Sequence, residues 1–153
     1  MSQLPPNKYL SVLDDLLSIG QAVQVAVRGM SMFPLLMKGD VVLVKPVTYE
    51  ALRKGDIVVF ERNAIWVAHR LIRKFDGHLV THGDGNRLKD DNLPFSSVKG
   101  IVVKVVKARW WLARWATKWP GRALAYTSVV TGPAFWLLGR IASKIYLIWK
   151  EQN

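Results

Sequence analysis

The stretch IWVAHRLIRKF (65–75), followed by Asp76-Gly77 and then HLVTH (78–82), decides the fold class of this 153-residue chain. Both runs are rich in β-branched and aromatic residues, which favour strands. An Asp-Gly pair between two such runs is typical of a tight hairpin turn. The stretch therefore predicts a β-hairpin that turns at residues 76–77.

The same β-strand pattern continues on both sides of this hairpin. Short β-branched runs bounded by Gly, Asp or Pro occur at AVQVAV (22–27), DVVLVKPV (40–47), DIVVF (56–60) and KGIVVKVVKA (99–108). Residues 83–97 are polar and predict a loop. Apolar residues at helical spacing predict a short amphipathic helix over residues 7–19. The expected fold is mainly β, with a short N-terminal helix.

Positive charge and tryptophan are concentrated in the last third of the chain. Residues 104–153 hold nine Lys or Arg and one acidic residue, which gives +8 of the total net charge of +11. Six of the seven tryptophans lie there: Trp110, Trp111, Trp115, Trp119, Trp136 and Trp149. Indole rings beside basic side chains indicate contact with an anionic membrane surface. Basic charge also suits nucleic acid, but no recognisable binding motif accompanies it, so no nucleic-acid partner is expected.

Residues 109–119, RWWLARWATKW, predict a basic amphipathic helix, because three tryptophans lie four residues apart. Pro120-Gly121 would end this helix, and residues 122–150 predict one or two further apolar helices broken near Gly132-Pro133. Membrane contact is expected from Trp110, Trp111, Trp115, Trp119, Arg114 and Lys118. The alternative is that the tryptophans form the core of a helical cap.

These patterns divide the chain into an N-terminal helical segment (1–21), a β-rich domain (22–107) and a Trp-rich basic helical appendage (108–153). A spanning helix needs about 20 clean apolar residues, and the nearest candidate, Ala123–Gly139, has 17 uncharged residues interrupted by Gly132-Pro133. We expect association with the cytoplasmic membrane. The sequence does not determine on which side of that membrane the β-rich domain lies. The lack of cysteine excludes disulfides and thiolate chemistry.

Ser31 is the candidate nucleophile. A serine hydroxyl reacts only with a base in hydrogen-bond reach and with donors for the oxyanion that forms. Ser31 lies between Gly29 and Pro34, just after the first predicted strand, in a position suited to a rigid exposed turn. His69 lies in an apolar strand that can hold its imidazole neutral, and an aspartate from the polar loop could orient the other ring nitrogen.

The blocks around these residues resemble the signal-peptidase family of serine peptidases. They are a Gly-x-Ser-Met-x-Pro box (29–34), a Gly-Asp strand (55–60), a Val-x-His-Arg box (67–70) and a Gly-Asp-x-Asn box (83–86). Histidine in the base box is similar to archaeal and endoplasmic-reticulum members, whereas bacterial housekeeping members use lysine. The resemblance covers residues 25–106. It implies an endopeptidase that cleaves a signal or leader segment from an extended substrate, prefers small side chains before the cut and needs no cofactor.

The resemblance also assigns roles to residues. It makes Ser31 the nucleophile, His69 the general base and Asp90, six residues after Asp84, the third member, with Asp91 as the alternative. The backbone N–H of Ser31 would form the oxyanion hole. Positions expected to brace the site are Gly29, Pro34 and Asp84.

Several other readings of the sequence accompany this one. The fold could serve a self-cleaving regulator of the repressor-protease type, or a non-catalytic membrane-binding module. The first usually has a lysine base and a DNA-binding domain, for which the residues before the β region are too few. His78 and His82 are expected at the surface, and no metal-ligand spacing is present. Turn chemistry explains Asp40 and Asp56, each of which follows a glycine.

Overall fold

The computed structural model describes residues 6–123, 125–126, 133–134, 136–138 and 140–141. Gly132, near which the sequence predicts a break in the tail helices, and Trp149, within that predicted helical tail, lie outside these residues. Within the described chain the fold is mainly β, as the sequence predicts.

One helix precedes a single sheet of seven strands in the described chain. The elements are α1 (Pro6–Ser18), β1 (Val23–Ala26), β2 (Val41–Lys45), β3 (Ile57–Arg62), β4 (Ile65–Phe75), β5 (His78–His82), β6 (Asp90–Pro94) and β7 (Val98–Lys107). Short 3-10 helices cover Phe95–Ser97 and Trp111–Trp115. The strand order is β1-β2-β7-β3-β4-β5-β6, and each neighbouring pair is antiparallel.

Two tight hairpins build the centre of this sheet. Phe75 pairs with His78 across the predicted turn, where Asp76 and Gly77 have φ of 45° and 72°. Positive φ at both central residues matches the right-handed twist of the flanking strands, which confirms the predicted hairpin. The β3–β4 hairpin turns in the same way at Asn63-Ala64, with φ of 52° and 58°.

Strand β6 corrects the prediction of a loop over residues 83–97. Leu93 pairs with Leu79 of β5 and is buried in the core, which gives this polar segment a reason to join the sheet. Asp90 pairs with Thr81 at the start of the strand. Pro94, which has no backbone N–H, stands at the end of a strand on the sheet edge, where that loss is tolerated. The residues of this segment have low strand propensity, so its pairing with β5 could not be predicted from the segment alone.

The core forms two apolar clusters on the two faces of the sheet. Alternate residues of β3 supply both: Ile57 and Val59 belong to the first cluster, while Val58 and Phe60 belong to the second. This is why DIVVF reads as a continuous apolar run rather than an alternating one. The first cluster also receives Leu36, which is fully buried below the turn that carries Ser31.

The segment after β7 corrects the prediction of an amphipathic helix that ends at Pro120-Gly121. Trp111–Trp115 is a 3-10 helix, and residues 119–123 are helical, so the Pro-Gly pair lies inside a new helical turn. Proline is tolerated in a first helical turn because its missing N–H would have no partner there. Gly121 packs so closely that an added Cβ would lie 2.1 Å from the Trp115 carbonyl oxygen. Among the described residues, no helix is long and apolar enough to cross a membrane.

We expect Leu36→Ala to lower the free energy of unfolding by about 2–5 kcal/mol, since it leaves a cavity in the first cluster. Urea denaturation measures this change. Leu88→Ala is the matched control, because Leu88 is 81% exposed and its loss should change stability by less than about 0.5 kcal/mol. Equal midpoints for the two variants would contradict this packing.

Candidate active site

Ser31 lies in a tight turn that is anchored from below. The Phe33 N–H donates to the Met30 carbonyl at 3.0 Å and closes the turn around Ser31. The next residue, Met32, is buried in the first cluster, and Leu36 N–H donates back to its carbonyl at 3.0 Å. The backbone at Ser31 is therefore held on its C-terminal side by the core, while Ser31 itself stays half-buried and lines a cavity.

The Gly-Asp-x-Asn box supports the same turn from the other side. Gly85 N–H donates to the Ser31 carbonyl at 2.8 Å. A Cβ added at Gly83 would lie 2.6 Å from that carbonyl oxygen and 2.7 Å from the Asn86 side-chain nitrogen. Real Cβ atoms do not approach this closely, so residue 83 must be glycine for the loop to reach the nucleophile turn.

His69 projects from β4 into an apolar setting next to this contact. It is 4% exposed, and the Phe60 ring packs edge-on against it with centroids 5.8 Å apart. Arg70 pairs with His82 on β5, so continuing that register by one residue places His69 opposite Gly83. Since Gly83 also touches Ser31, the fold brings the predicted nucleophile and base to the two sides of one glycine.

Asp90 is the carboxylate that contacts the base. Its Oδ2 accepts hydrogen bonds from His69 Nδ1 and, at 3.1 Å, from Thr81 Oγ1, while Arg62 Nη1 donates to Oδ1 at 2.8 Å. Burial alone would raise the pKa of Asp90, but the hydrogen bonds and charges of His69 and Arg62 prevail and lower it to about 2. Asp91 lies in β6 next to it, and its side chain is outside the described part of the structure.

This arrangement determines what His69 can do. A proton on Nδ1 is held by Asp90, so Nε2 is left as the acceptor for a serine proton. Among the described residues no hydrogen bond joins Ser31 Oγ to His69, and such bonds commonly tighten only when substrate binds. The Ser31 N–H makes no backbone hydrogen bond within the described chain, as an oxyanion donor requires.

A model of the Peptidase S24-like family matches residues 1–103, which include the nucleophile turn, the base strand and the aspartate. The chain belongs to the Peptidase S24-like family. No curated protein matches it. The seven-stranded antiparallel sheet agrees with an S24-like fold.

Arg70 is the main supporting residue that sequence reasoning missed in this S24-like site. It is fully buried, and it binds Asp84 through two hydrogen bonds, from Nε at 2.8 Å and from Nη2 at 2.6 Å. Its Nη1 donates to the carbonyls of Gly55 at 2.8 Å and Ala116 at 3.3 Å. Asp84 therefore binds the arginine that follows His69 in β4, while the carboxylate bonded to His69 is that of Asp90. The position of Arg70 in the Val-x-His-Arg box is the sequence feature that could have indicated its supporting role.

The other two Gly-Asp pairs of the S24-like chain are turns that also hold the following segment. Asp40 and Asp56 each accept the backbone N–H of the residue three positions earlier, at 3.0 and 2.8 Å, which confirms the predicted turn chemistry. Asp40 also accepts the Arg109 N–H at 2.7 Å, and Asp56 pairs with Arg122 at 3.0 Å. These two contacts therefore attach residues 109–122 to the loops that contain Asp40 and Asp56.

The histidines outside the site differ from each other. His78 is exposed, as predicted, and its Nδ1 lies 2.9 Å from the Asp76 carbonyl. The prediction for His82 is wrong: it is 1% exposed, because its ring lies among Asp84, His69, Asp90 and the backbone of Asn86. Burial lowers the pKa of His82, and the nearby carboxylate of Asp84 opposes this shift.

The residues expected to contact a membrane fall into two groups in the S24-like structure. Trp110 is half-buried and stacks on Phe33, with centroids 6.2 Å apart, so it packs beside the nucleophile turn. Exposed side chains, by contrast, are Trp111, Trp115, Trp119, Arg114 and Lys118. Lys118 Nζ lies 5.3 Å from the Trp115 ring centroid. Among the described residues, no group of three or more His, Asp or Glu could hold a metal ion.

The remaining predicted supports of the S24-like site lie in the nucleophile turn itself. Pro34 follows the turn at Phe33 and is half-buried. Gly29 is exposed, and a Cβ added there would meet nothing closer than the Ser31 nitrogen at 4.0 Å. Space rather than close packing therefore surrounds Gly29, which leaves the approach to the Ser31 N–H open.

The lowered pKa of Asp90 predicts a specific acid sensitivity. Because the folded value of about 2 lies below the ordinary 3.8, the charged carboxylate stabilises the fold above pH 3.8, and this stabilisation is lost as pH falls toward 2. We expect Asp90→Asn to flatten the decline in unfolding free energy over that interval. Urea titrations at several pH values measure the slope, with Asp15→Asn on the exposed side of α1 as control. An unchanged slope in Asp90→Asn would contradict the assignment.

Proposed function

We propose that this chain is a membrane-associated serine endopeptidase of the signal-peptidase kind, which removes a signal or leader segment from a protein or peptide substrate. The contact of His69 Nδ1 with Asp90, on a strand that flanks the Ser31 turn, is the observation that carries the proposal. Membership of the Peptidase S24-like family supports it.

The chemistry follows the three residues in order. Ser31 Oγ attacks the substrate carbonyl while its proton passes to His69 Nε2, and Asp90 stabilises the imidazolium through Nδ1–H. The Ser31 N–H donates to the oxyanion of the tetrahedral intermediate. Collapse of the tetrahedral intermediate breaks the C–N bond while His69 protonates the leaving amine. An acyl ester on Ser31 remains. Water, which gives a proton to His69 Nε2, then attacks the ester; the bond between the acyl carbon and Ser31 Oγ breaks, and His69 returns the proton to Oγ.

Two open strand edges support an extended substrate. Strand β1 is the outermost strand on its side of the sheet. Residues 65–69 of β4 pair with β3 on one side, whereas β5 pairs with β4 only from Arg70 onward. Both edges line the cavity that contains Ser31. A peptide strand between them could bond through its main chain to either edge, which is the usual way that extended peptides are bound.

The exposed tryptophans support a membrane surface as the second partner. Trp111 and Trp119 are 67% and 80% exposed, while Ala113 and Ala116 between them are fully buried in the first cluster. The segment from residue 111 to residue 119 thus turns small residues inward and indole rings outward. Basic side chains among these rings favour anionic lipid, and we place the protein at the cytoplasmic membrane on this basis.

Ser31→Ala and His69→Ala should each lower kcat by roughly 10⁴- to 10⁶-fold, because nucleophile and base act as one unit. Mass spectrometry of membrane-derived peptides incubated with each purified protein measures cleavage. Circular dichroism checks that both variants stay folded. Substantial cleavage by folded Ser31→Ala protein would exclude the proposed mechanism.

The same assay separates the open alternatives. Asp90→Asn should lose most activity, whereas Asp91→Asn should retain it; the reverse result would make Asp91 the third member. Intact-mass measurement of stored wild-type protein tests self-cleavage, which would appear as two fragments that Ser31→Ala lacks. A protein whose Ser31 resists a fluorophosphonate probe would instead be a non-catalytic module.

Replacing Trp111, Trp115 and Trp119 together by Ala should weaken binding to anionic phosphatidylglycerol vesicles at least about tenfold, since each indole removes apolar surface from water. Sedimentation with vesicles measures the bound fraction. Leu88→Ala, which removes an exposed apolar side chain elsewhere, should bind as wild type does. Equal binding by the triple variant would remove these residues from the proposed surface.

A further inference from the structure

The cavity beside Ser31 carries information about the substrate. Its volume is about 380 Å³, and it lies between α1, the segment from β1 to Ser31 and the first half of β4. Apolar side chains form most of its walls, among them Leu10, Val25, Met32 and Trp66. Among the described residues that line it, Arg28 is the charged one, and its side chain is exposed.

The walls of this cavity are held open by the core behind them. Met32, Leu36 and Val42, which line it, are also buried members of the first cluster. Because a close-packed core holds its side chains in place, these three side chains cannot move into the cavity and fill it. Next to the base, the wall is Ala68, whose small side chain leaves the cavity wide where it approaches the catalytic residues.

A peptide main chain bound at the two strand edges would occupy part of this volume, and the apolar walls beyond it remain for side chains. About 380 Å³ lies within the range of pockets that enclose small organic ligands, roughly 300–1,000 Å³. A methyl group would leave most of the apolar wall without contact. A charged side chain would lose its hydration there without a buried partner of opposite charge. The chemistry of the walls selects a large apolar group.

We propose that this cavity is a specificity pocket for a large apolar side chain, such as Leu, Ile, Met or Phe, in an extended peptide substrate. The position lies within about four residues of the cleaved bond, because the cavity runs along residues 25–29 and 65–68 at about 3.3 Å per residue. This inference rests on the proposed peptidase function. It differs from the preference for small side chains that the signal-peptidase resemblance implies.

A peptide fits the cavity better than a lipid chain because the nucleophile and two unpaired strand edges open into the same space. A lipid acyl chain would use the apolar wall and leave these main-chain groups without partners. A peptide strand would use both. Side chains of an extended peptide alternate between two faces, so a peptide paired with one of these edges would direct alternate side chains toward the cavity.

The test uses the purified full chain and synthetic peptides in which each position near a cut site carries all common residues in turn. Cleavage products are counted by mass spectrometry. We expect kcat/KM to rise at least about tenfold from Ala to Leu at one position, since each methylene in an apolar pocket changes the rate about 10- to 200-fold. A preference for Ala, Gly or Ser at every position would overturn the proposal.

Ala68→Leu should fill the cavity and reverse the preference, with peptides that carry Ala at that position then cleaved better than those that carry Leu. Val25→Phe fills the cavity from the opposite wall if the first variant does not fold. Ala51→Leu adds the same bulk at an exposed turn and should keep the wild-type preference. An unchanged preference in both folded cavity variants would overturn the proposal.

Fluorophosphonate labelling of Ser31 separates this inference from the function on which it rests. Labelling and Ser31-dependent cleavage without a large apolar preference would refute the pocket alone. Absence of both would refute the peptidase function and the pocket with it.

Discussion

The fully buried ion pair of Arg70 and Asp84 is the interaction on which the rest of the site depends. Neither side chain reaches solvent, and each oxygen of the carboxylate accepts a hydrogen bond from one N–H of the guanidinium. Removal of one partner from such a pair leaves an uncompensated buried charge, which typically costs about 3–5 kcal/mol. The pair joins β4 to the loop after β5, and that loop in turn holds the carbonyl of Ser31 through Gly85.

Two successive residues of β4, His69 and Arg70, have different roles in the site. Side chains of neighbouring strand residues point to opposite faces, so His69 faces Asp90 while Arg70 faces Asp84. The strand that positions the base is therefore also fixed by the loop that supports the nucleophile. This shared support explains why three separate Gly-Asp or His-Arg boxes of the sequence converge on one place.

The segment after β7 belongs to the same framework. The Ala116 carbonyl accepts from Arg70, and the backbone of Arg109 donates to Asp40. Trp111, Trp115 and Trp119 nevertheless face outward, which puts an aromatic and basic surface on a part of the chain that is bonded to the base strand. Contact of that surface with lipid would hold the proposed active site at a constant distance from the membrane.

The sequence by itself determined the features that depend on local propensity: α1, the hairpin at Asp76-Gly77, and the boxes that contain Ser31 and His69. The family resemblance implied Asp90, with Asp91 as the alternative, and the structure places the Asp90 carboxylate against His69. Only the tertiary structure determined that residues 90–94 form β6, that His82 is buried and that Pro120-Gly121 lies inside a helical turn. These depend on which segment lies opposite, since a polar strand or a histidine is buried by its neighbours and not by its own residue type.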